Sequence, residues 1–207
     1  MKAFIAVVAL AALASTAGCG GTMAESANDR SAVQKESATT EQVELRAPTP
    51  EEIEAARKAG KVRVRFETDK GGLTLELDGE AAPIAVANFV NLVKDGFYDG
   101  MPFHRVEPGF VIQAGDPIRA GRPPVGYTIP DEKSPLKHTT GTVAMARSYR
   151  GGQMIPNSAS TQFYICLADT PHLDQLGFTA FGKTVEGVDT IYRIRVGDKI
   201  QSARLIK

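Results

Sequence analysis

The chain has 207 residues, with 24 basic and 24 acidic side chains and a formal net charge of zero at pH 7. Charges of both signs are interspersed, so no basic patch points to nucleic acid and no long acidic run to a charged partner. Its two cysteines have no metal-type spacing, and the length suits a core stable without a disulfide.

In chain order, Lys2 precedes an apolar run from Ala3 to Leu13 and small residues up to Cys19. A basic start, a short apolar core and a small-residue exit are the pattern of a secretory signal, here residues 1–18. The run is too short to span a bilayer as a permanent helix. Ala17-Gly18-Cys19 resembles the end of a bacterial lipoprotein signal, in which the cysteine becomes lipidated and N-terminal. Thr16 departs from that pattern, where Leu is usual, and ordinary cleavage after Ala17 or Ala14 is the alternative. Residues 19–60 then read as the lipidated Cys19 and a flexible tether, because residues 20–46 are rich in Ala, Ser, Thr, Glu and Gln and short of large apolar side chains. A short helix is predicted at 51–59: Pro50 opens it, Glu51, Glu52 and Glu54 fill its first turn, and Gly60 stops it.

The folded domain is placed at 61–207. Val62, Val64 and Phe66 alternate with charged residues, and Leu73, Leu75 and Leu77 alternate again after the turn Asp69-Lys70-Gly71-Gly72, which predicts a hairpin. Pro83 opens a helix through Lys94, ended by Gly96, with Asn88, Asn91 and Asp95 set opposite Ile84, Phe89, Val90 and Val93. A loop dense in Pro and Gly runs from Pro117 to Lys137. Strands are predicted at Thr142–Ala146, Gln162–Leu167, Thr179–Gly182 and Ile200–Ile206, and a second helix at Val188–Val196. Cys166 lies in the apolar run Phe163–Leu167 and reads as a small core hydrophobe.

Between these elements lies Phe103-His104-Arg105-Val106, followed by Pro108-Gly109-Phe110-Val111-Ile112-Gln113-Ala114-Gly115-Asp116. It reads as two short strands joined by a Pro-Gly turn. Alternation puts Phe103 and Arg105 on one face of the first strand, and Val111 and Gln113 on one face of the second. Paired as a hairpin, they bring an arginine and a glutamine together among apolar neighbours. A guanidinium there is costly unless something uses its donors; the bland alternative is a solvated strand residue. His104 is expected to point opposite to Arg105, inward, as a hydrogen-bonded core residue. No Gly-x-Ser-x-Gly elbow and no Ser/His/Asp set at a recognisable spacing supports covalent catalysis.

This run resembles the signature of the cyclophilin family of peptidyl-prolyl isomerases: Phe-His-Arg, Pro-Gly-Phe, then Gln-x-Gly-Asp. Further blocks follow in the family's order at Gly141–Arg147, at Asn157–Ile165 and at His172-Leu173-Asp174, with Phe181-Gly182-Lys183 closing the last. The resemblance covers residues 62 to 207. It implies a mainly β fold, a closed eight-stranded antiparallel β-barrel capped by two α-helices, and a monomeric isomerase that needs no cofactor or metal. It implies Arg105 and Gln113 as catalytic residues. Phe110, Val111, Tyr164 and Leu173 would line a proline pocket, with His172 and Phe178 at its rim, and Ala146, Arg147 and Gln162 would bind the substrate main chain.

Several departures from the family pattern bear on the pocket. Tyr164 stands for a phenylalanine and brings a hydroxyl that needs a partner. Arg147 stands for an asparagine, His172 for a tryptophan and Phe178 for a histidine. The stretch from Arg147 to Gln162 is longer than usual, so Tyr149 to Pro156 is expected to reshape one wall of the groove. Two readings follow: an isomerase that assists folding of exported proteins at the bacterial cell envelope, with proline-containing segments as partners and membrane attachment through Cys19, or a weakly catalytic proline-peptide binding module of the same fold.

Overall fold

The computed structural model describes residues 45–207; the expected signal, Cys19 and the expected tether up to residue 44 lie outside the described residues. Helix α1 spans Pro50–Ala59. Thr49 caps it: its hydroxyl accepts from the Glu52 amide at 3.3 Å while the Glu52 carboxylate accepts from the Thr49 amide at 2.7 Å. This reciprocal capping box satisfies two donors a helix start otherwise leaves open. α1 packs against the folded body. Ala56 is buried, and Leu45, Ala47 and Ile53 pack on the main core, so the folded body includes residues ahead of 61.

Strands β1 (Lys61–Thr68) and β2 (Gly71–Asp78) form the predicted hairpin, with Val64, Phe66, Leu73, Leu75 and Leu77 fully buried. Helix α2 (Pro83–Lys94) follows. Its N-cap, Ala82, has no side chain to offer, and the cap comes instead from Glu132 in the long loop, whose carboxylate accepts from the Ile84 and Ala85 amides at 2.9 and 2.8 Å. The negative charge sits at the positive end of the helix. Asn88 is not on an exposed polar face. It is buried, donates to the Ser160 carbonyl at 2.7 Å and accepts from the Tyr127 hydroxyl at 2.9 Å. The amide is tolerated inside because both its ends are partnered.

The remaining strands are β3 (Met101–Pro102), β4 (Arg105–Glu107), β5 (Val111–Ala114), β6 (Thr142–Met145), β7 (Tyr149–Arg150), β8 (Gln153–Met154), β9 (Phe163–Cys166), β10 (Ala180–Glu186) and β11 (Lys199–Ile206). Helices α3 (Pro171–Gln175) and α4 (Val188–Arg193) complete the set; α3 was not predicted, and α4 stops at Arg193 because Ile194 turns extended. All but β7 and β8 join one nine-stranded sheet in the order β3-β11-β1-β2-β10-β6-β9-β5-β4. The expected closed eight-stranded barrel is therefore corrected to a curled nine-stranded sheet whose hydrogen-bond order is open, and α3 is added to the three expected helices.

The reason lies at the signature itself. β3 pairs with β11 and β4 with β5, so one continuous segment supplies both ends of the sheet. The change of partner falls at two residues: the Phe103 amide donates to Asp198 on one side, and the His104 amide to Gln113 on the other, at 2.8 and 3.1 Å. That switch also breaks the expected alternation. Phe103 is fully buried in the main core while Arg105 faces the opposite side, half-exposed. His104 is only half-buried, and its Nδ1 has no hydrogen-bond partner; burial pushes its pKa below the usual value.

Inside the curl, Phe89, Tyr98 and Phe163 pack in tilted and edge-to-face contacts with centroids 4.8–5.3 Å apart. The one polar group of this cluster, the Tyr98 hydroxyl, donates to the Thr161 carbonyl at 3.0 Å.

Candidate active site

The site is built on the outer face of β4, β5, β9 and β6. The Pro108-Gly109 turn sets Arg105 opposite Gln113, β9 sets Tyr164 opposite Gln113, and β6 sets Ala144 opposite Tyr164. Gly115 lets β5 end there: its φ is +90°, and a Cβ would strike the Thr161 carbonyl. Together with α3 and the segment after it, these strands enclose a cavity of about 450 Å³. It is lined by Arg105, Phe110, Val111, Gln113, Ala146, Arg147, Tyr149, Met154, Tyr164, His172, Leu173, Leu176 and Phe178. Every catalytic and substrate-binding residue expected from the sequence is in that lining except Gln162. A wider cavity of about 820 Å³ runs elsewhere, past Leu45, Phe97, Arg122 and Tyr127.

The Arg105 guanidinium is held from two sides. Nη1 donates to Gln113 Oε1 at 3.1 Å, and Nε and Nη2 both reach Glu107 Oε1 at 2.8 Å. Its carbon lies 5.6 Å from the Phe110 ring centroid, a cation–π contact that keeps the group over the apolar pocket. Gln113 Nε2 donates to Gln162 Oε1 at 2.8 Å. Gln162 thus reaches the cavity through Gln113 rather than lining it. A guanidinium has five N–H groups, and one on each Nη remains free to donate.

Arg147 has a different place from the one expected. Its side chain is only 8% exposed, donates from Nε to Asp131 at 2.9 Å and from Nη1 to the Leu176 carbonyl at 3.0 Å, and bonds the Gly177 carbonyl through Nη2. It also lies 4.8 Å over the Phe178 ring. With its donors engaged by the protein, the guanidinium braces the pocket rim.

The Tyr164 hydroxyl finds its partner behind the pocket. It lies 2.9 Å from His138 Nε2, and His138 Nδ1 lies 2.7 Å from Asp174 Oδ1. Asp174 also accepts from the His138 amide at 3.1 Å. Burial opposes charge on Asp174, but these hydrogen bonds hold its carboxyl below the usual range. A carboxylate only accepts, so Nδ1 carries a hydrogen; in the neutral ring Nε2 then accepts from Tyr164. Burial pushes the Tyr164 phenol well above its ordinary value, so it stays a donor. Cys166 is buried on the same face, with its thiol pushed up to about 11 by burial, which makes it inert packing. His172 stacks on Phe110 with centroids 5.7 Å apart.

Sequence reasoning missed Glu107, His138, Asp174 and Leu176, whereas the expected contribution of Tyr149 to Pro156 to one wall of the groove is seen in Tyr149 and Met154. Glu107 was legible, standing two residues from Arg105 on the same strand face. His138 was not, since nothing in a lone histidine announces a partner 36 positions away. Among the described residues no group of His, Cys, Asp or Glu is arranged to hold a metal ion.

A β-sheet curled round an aromatic core, with an apolar pocket overlooked by the paired Arg105 and Gln113, is the arrangement the sequence resemblance leads one to expect of a prolyl isomerase. Residues 63–207 match the family model described as cyclophilin type peptidyl-prolyl cis-trans isomerase/CLD. A peptidyl-prolyl cis-trans isomerase of Synechococcus elongatus is 42% identical over 143 residues, covering 68% of this chain and 94% of that protein. One from Helicobacter pylori is 40% identical over 155 residues, covering 73% and 91%. The crystal structure of a Cryptosporidium parvum cyclophilin type peptidyl-prolyl cis-trans isomerase superposes with a TM-score of 0.62 at 29% identity, covering 71% of this chain and 98% of that one. The same Cryptosporidium protein, in a crystal structure obtained in the presence of the dipeptide Ala-Pro, gives a TM-score of 0.61 at 29% identity, covering 70% and 99%. The chain belongs to the cyclophilin-type peptidyl-prolyl cis-trans isomerases and is an enzyme of that class.

Proposed function

We propose that this isomerase acts at the bacterial cell envelope, held there by a lipid on Cys19, on proline-containing segments of exported proteins, with Arg105 as its principal catalytic residue. The observation that carries the catalytic part is the Arg105–Gln113 pair over an apolar pocket. Rotation about a prolyl bond breaks amide resonance, a barrier of ~18–20 kcal/mol. In the twisted state the prolyl nitrogen pyramidalises and regains a lone pair. A fixed guanidinium N–H then binds the twisted state better than the planar one, which is what lowers the barrier. Phe110, Val111, Tyr164 and Leu173 hold the ring, while Gln113 places the guanidinium and binds substrate backbone. The main-chain groups of Ala146 and Arg147 bind the rest of the peptide. The Cryptosporidium relative was crystallised in the presence of the dipeptide Ala-Pro, which supports proline-containing peptides as the ligand class.

The envelope role rests on the sequence before Gly20: a basic start, an apolar core and the Ala17-Gly18-Cys19 exit. A diacyl anchor supplies the two chains that stable attachment needs. Two measurements test the proposal. A proline-peptide assay on the purified protein should show accelerated cis–trans exchange. Mass spectrometry of the mature protein should find a lipid-bearing N-terminal Cys19; an unmodified N-terminus at another residue overturns the anchor and leaves the catalytic reading standing.

A further inference from the structure

We propose that the β7–β8 hairpin and Leu176 form an apolar subsite, continuous with the prolyl pocket, that selects substrates carrying a large apolar side chain on a residue next to the proline. The inference rests on the isomerase reading above and adds a substrate class to it.

The cavity holds about 450 Å³, more than the three methylenes of a proline ring fill. The surplus is bounded by Tyr149, Met154 and Leu176, which are 64%, 44% and 57% exposed. Large apolar side chains grouped at one rim, on a chain with balanced surface charge, mark a surface meant to be covered. Tyr149 and Met154 are register partners across the hairpin, so both project to the same face, and that face is the cavity.

The wall is preorganised. The turn between its strands, Gly151-Gly152, has φ of +56° and +84°, the positive pair that a tight two-residue hairpin requires. At the base, Asp131 accepts from the Asn157 amide at 2.7 Å while its own amide donates to Asn157 Oδ1 at 2.9 Å. The Ile155 amide donates to the Ser148 carbonyl at 2.9 Å. Arg147 completes the brace: one guanidinium bonds Asp131 at the hairpin base and the Leu176 carbonyl on the facing wall. A rigid wall gives up little freedom on binding, so contact area converts into selectivity.

The experiment is an isomerisation assay on peptides in which the residue before or after proline is Leu, Phe, Ala or Glu. Wild type is expected to favour Leu or Phe over Ala at one of these positions by about tenfold in kcat/KM, expressed mainly in KM. The Tyr149→Ser/Met154→Ser double variant should bring that ratio close to one. Gly151→Val/Gly152→Val keeps both wall side chains but strains the turn, and should also compress the ratio. A wild type that isomerises all the peptides equally, or variants that keep the wild-type ratio, would overturn the subsite. A wild type that isomerises none of them would overturn the catalytic reading instead.

Discussion

The strands β5, β6 and β9 carry two regions of opposite character. On the inner face of β5, β6 and β9 stand Ile112, Ala114, Val143, Met145, Phe163 and Ile165, all at most 1% exposed and all part of the main core. On the outer face stand Val111, Ala144, Tyr164 and Cys166, packed into a second, smaller cluster with Leu173 and Phe178. The inner cluster is sealed by α2 and needs few polar partners. The outer one is open on one side and ringed by Arg105, Gln113, Gln162, His138 and Arg147, each bonded to a neighbour. Because side chains alternate along a strand, slipping the register by one residue would exchange the two sets. Stability and chemistry are thus specified by interleaved positions, and substitutions at adjacent residues should have separable effects.

The largest effect is expected from the inner face. Phe163→Ala removes a ring that packs on Phe66, Phe89 and Tyr98 and should cost about 3–5 kcal/mol of stability, read as a lower midpoint in urea. Loss of activity at temperatures where the variant is still folded would break the separation of faces.

Arg105→Ala is the counterpart on the outer face. A charged hydrogen bond made in the twisted state is worth about 1.5–3 kcal/mol, so turnover should fall roughly 10- to 150-fold with the urea midpoint almost unmoved. A folded Arg105→Ala protein with wild-type turnover would remove Arg105 from the mechanism.

Tyr164→Phe sharpens the comparison, because Tyr164 belongs to the outer face yet is only 4% exposed. The substitution leaves His138 Nε2 buried without its partner and should cost about 1–3 kcal/mol of stability. The pocket keeps its ring, so turnover should change less than in Arg105→Ala. A variant as stable as wild type would mean that the Tyr164–His138–Asp174 chain contributes nothing to the fold.

The smallest effect lies far from both faces, at α1. Thr49→Ala removes the cap and should cost about 1 kcal/mol. The hydrogen bond from Arg46, with that from the Thr49 amide, holds Glu52 down from 4.5 to about 2. A depressed carboxylate contributes stability above its unfolded value, and that contribution is lost as pH falls through the folded one. Acid titration of wild type between pH 4.5 and 2 should therefore show a loss of stability that Glu52→Gln lacks. The same slope in both proteins would refute the assignment to Glu52.

Much of this was legible in the chain. Period-two alternation located β1 and β2, Pro83 and the apolar spacing located α2, and the signature marked Arg105, Phe110, Val111 and Gln113, which the fold brings to one cavity. Local chemistry determines such features, because strand alternation and helix starts are properties of neighbouring residues. Tertiary structure decided the rest. The partner switch at Phe103-His104 turned an expected closed barrel into a curled, open nine-stranded order. Burial with two partners moved Asn88 from a polar face to the interior. Arg147 became a brace because Asp131 and the Leu176 carbonyl come within reach of it, and Tyr164 gained a partner in His138. What a polar side chain bonds to depends on groups far away in sequence, and only the folded arrangement brings them within 3 Å.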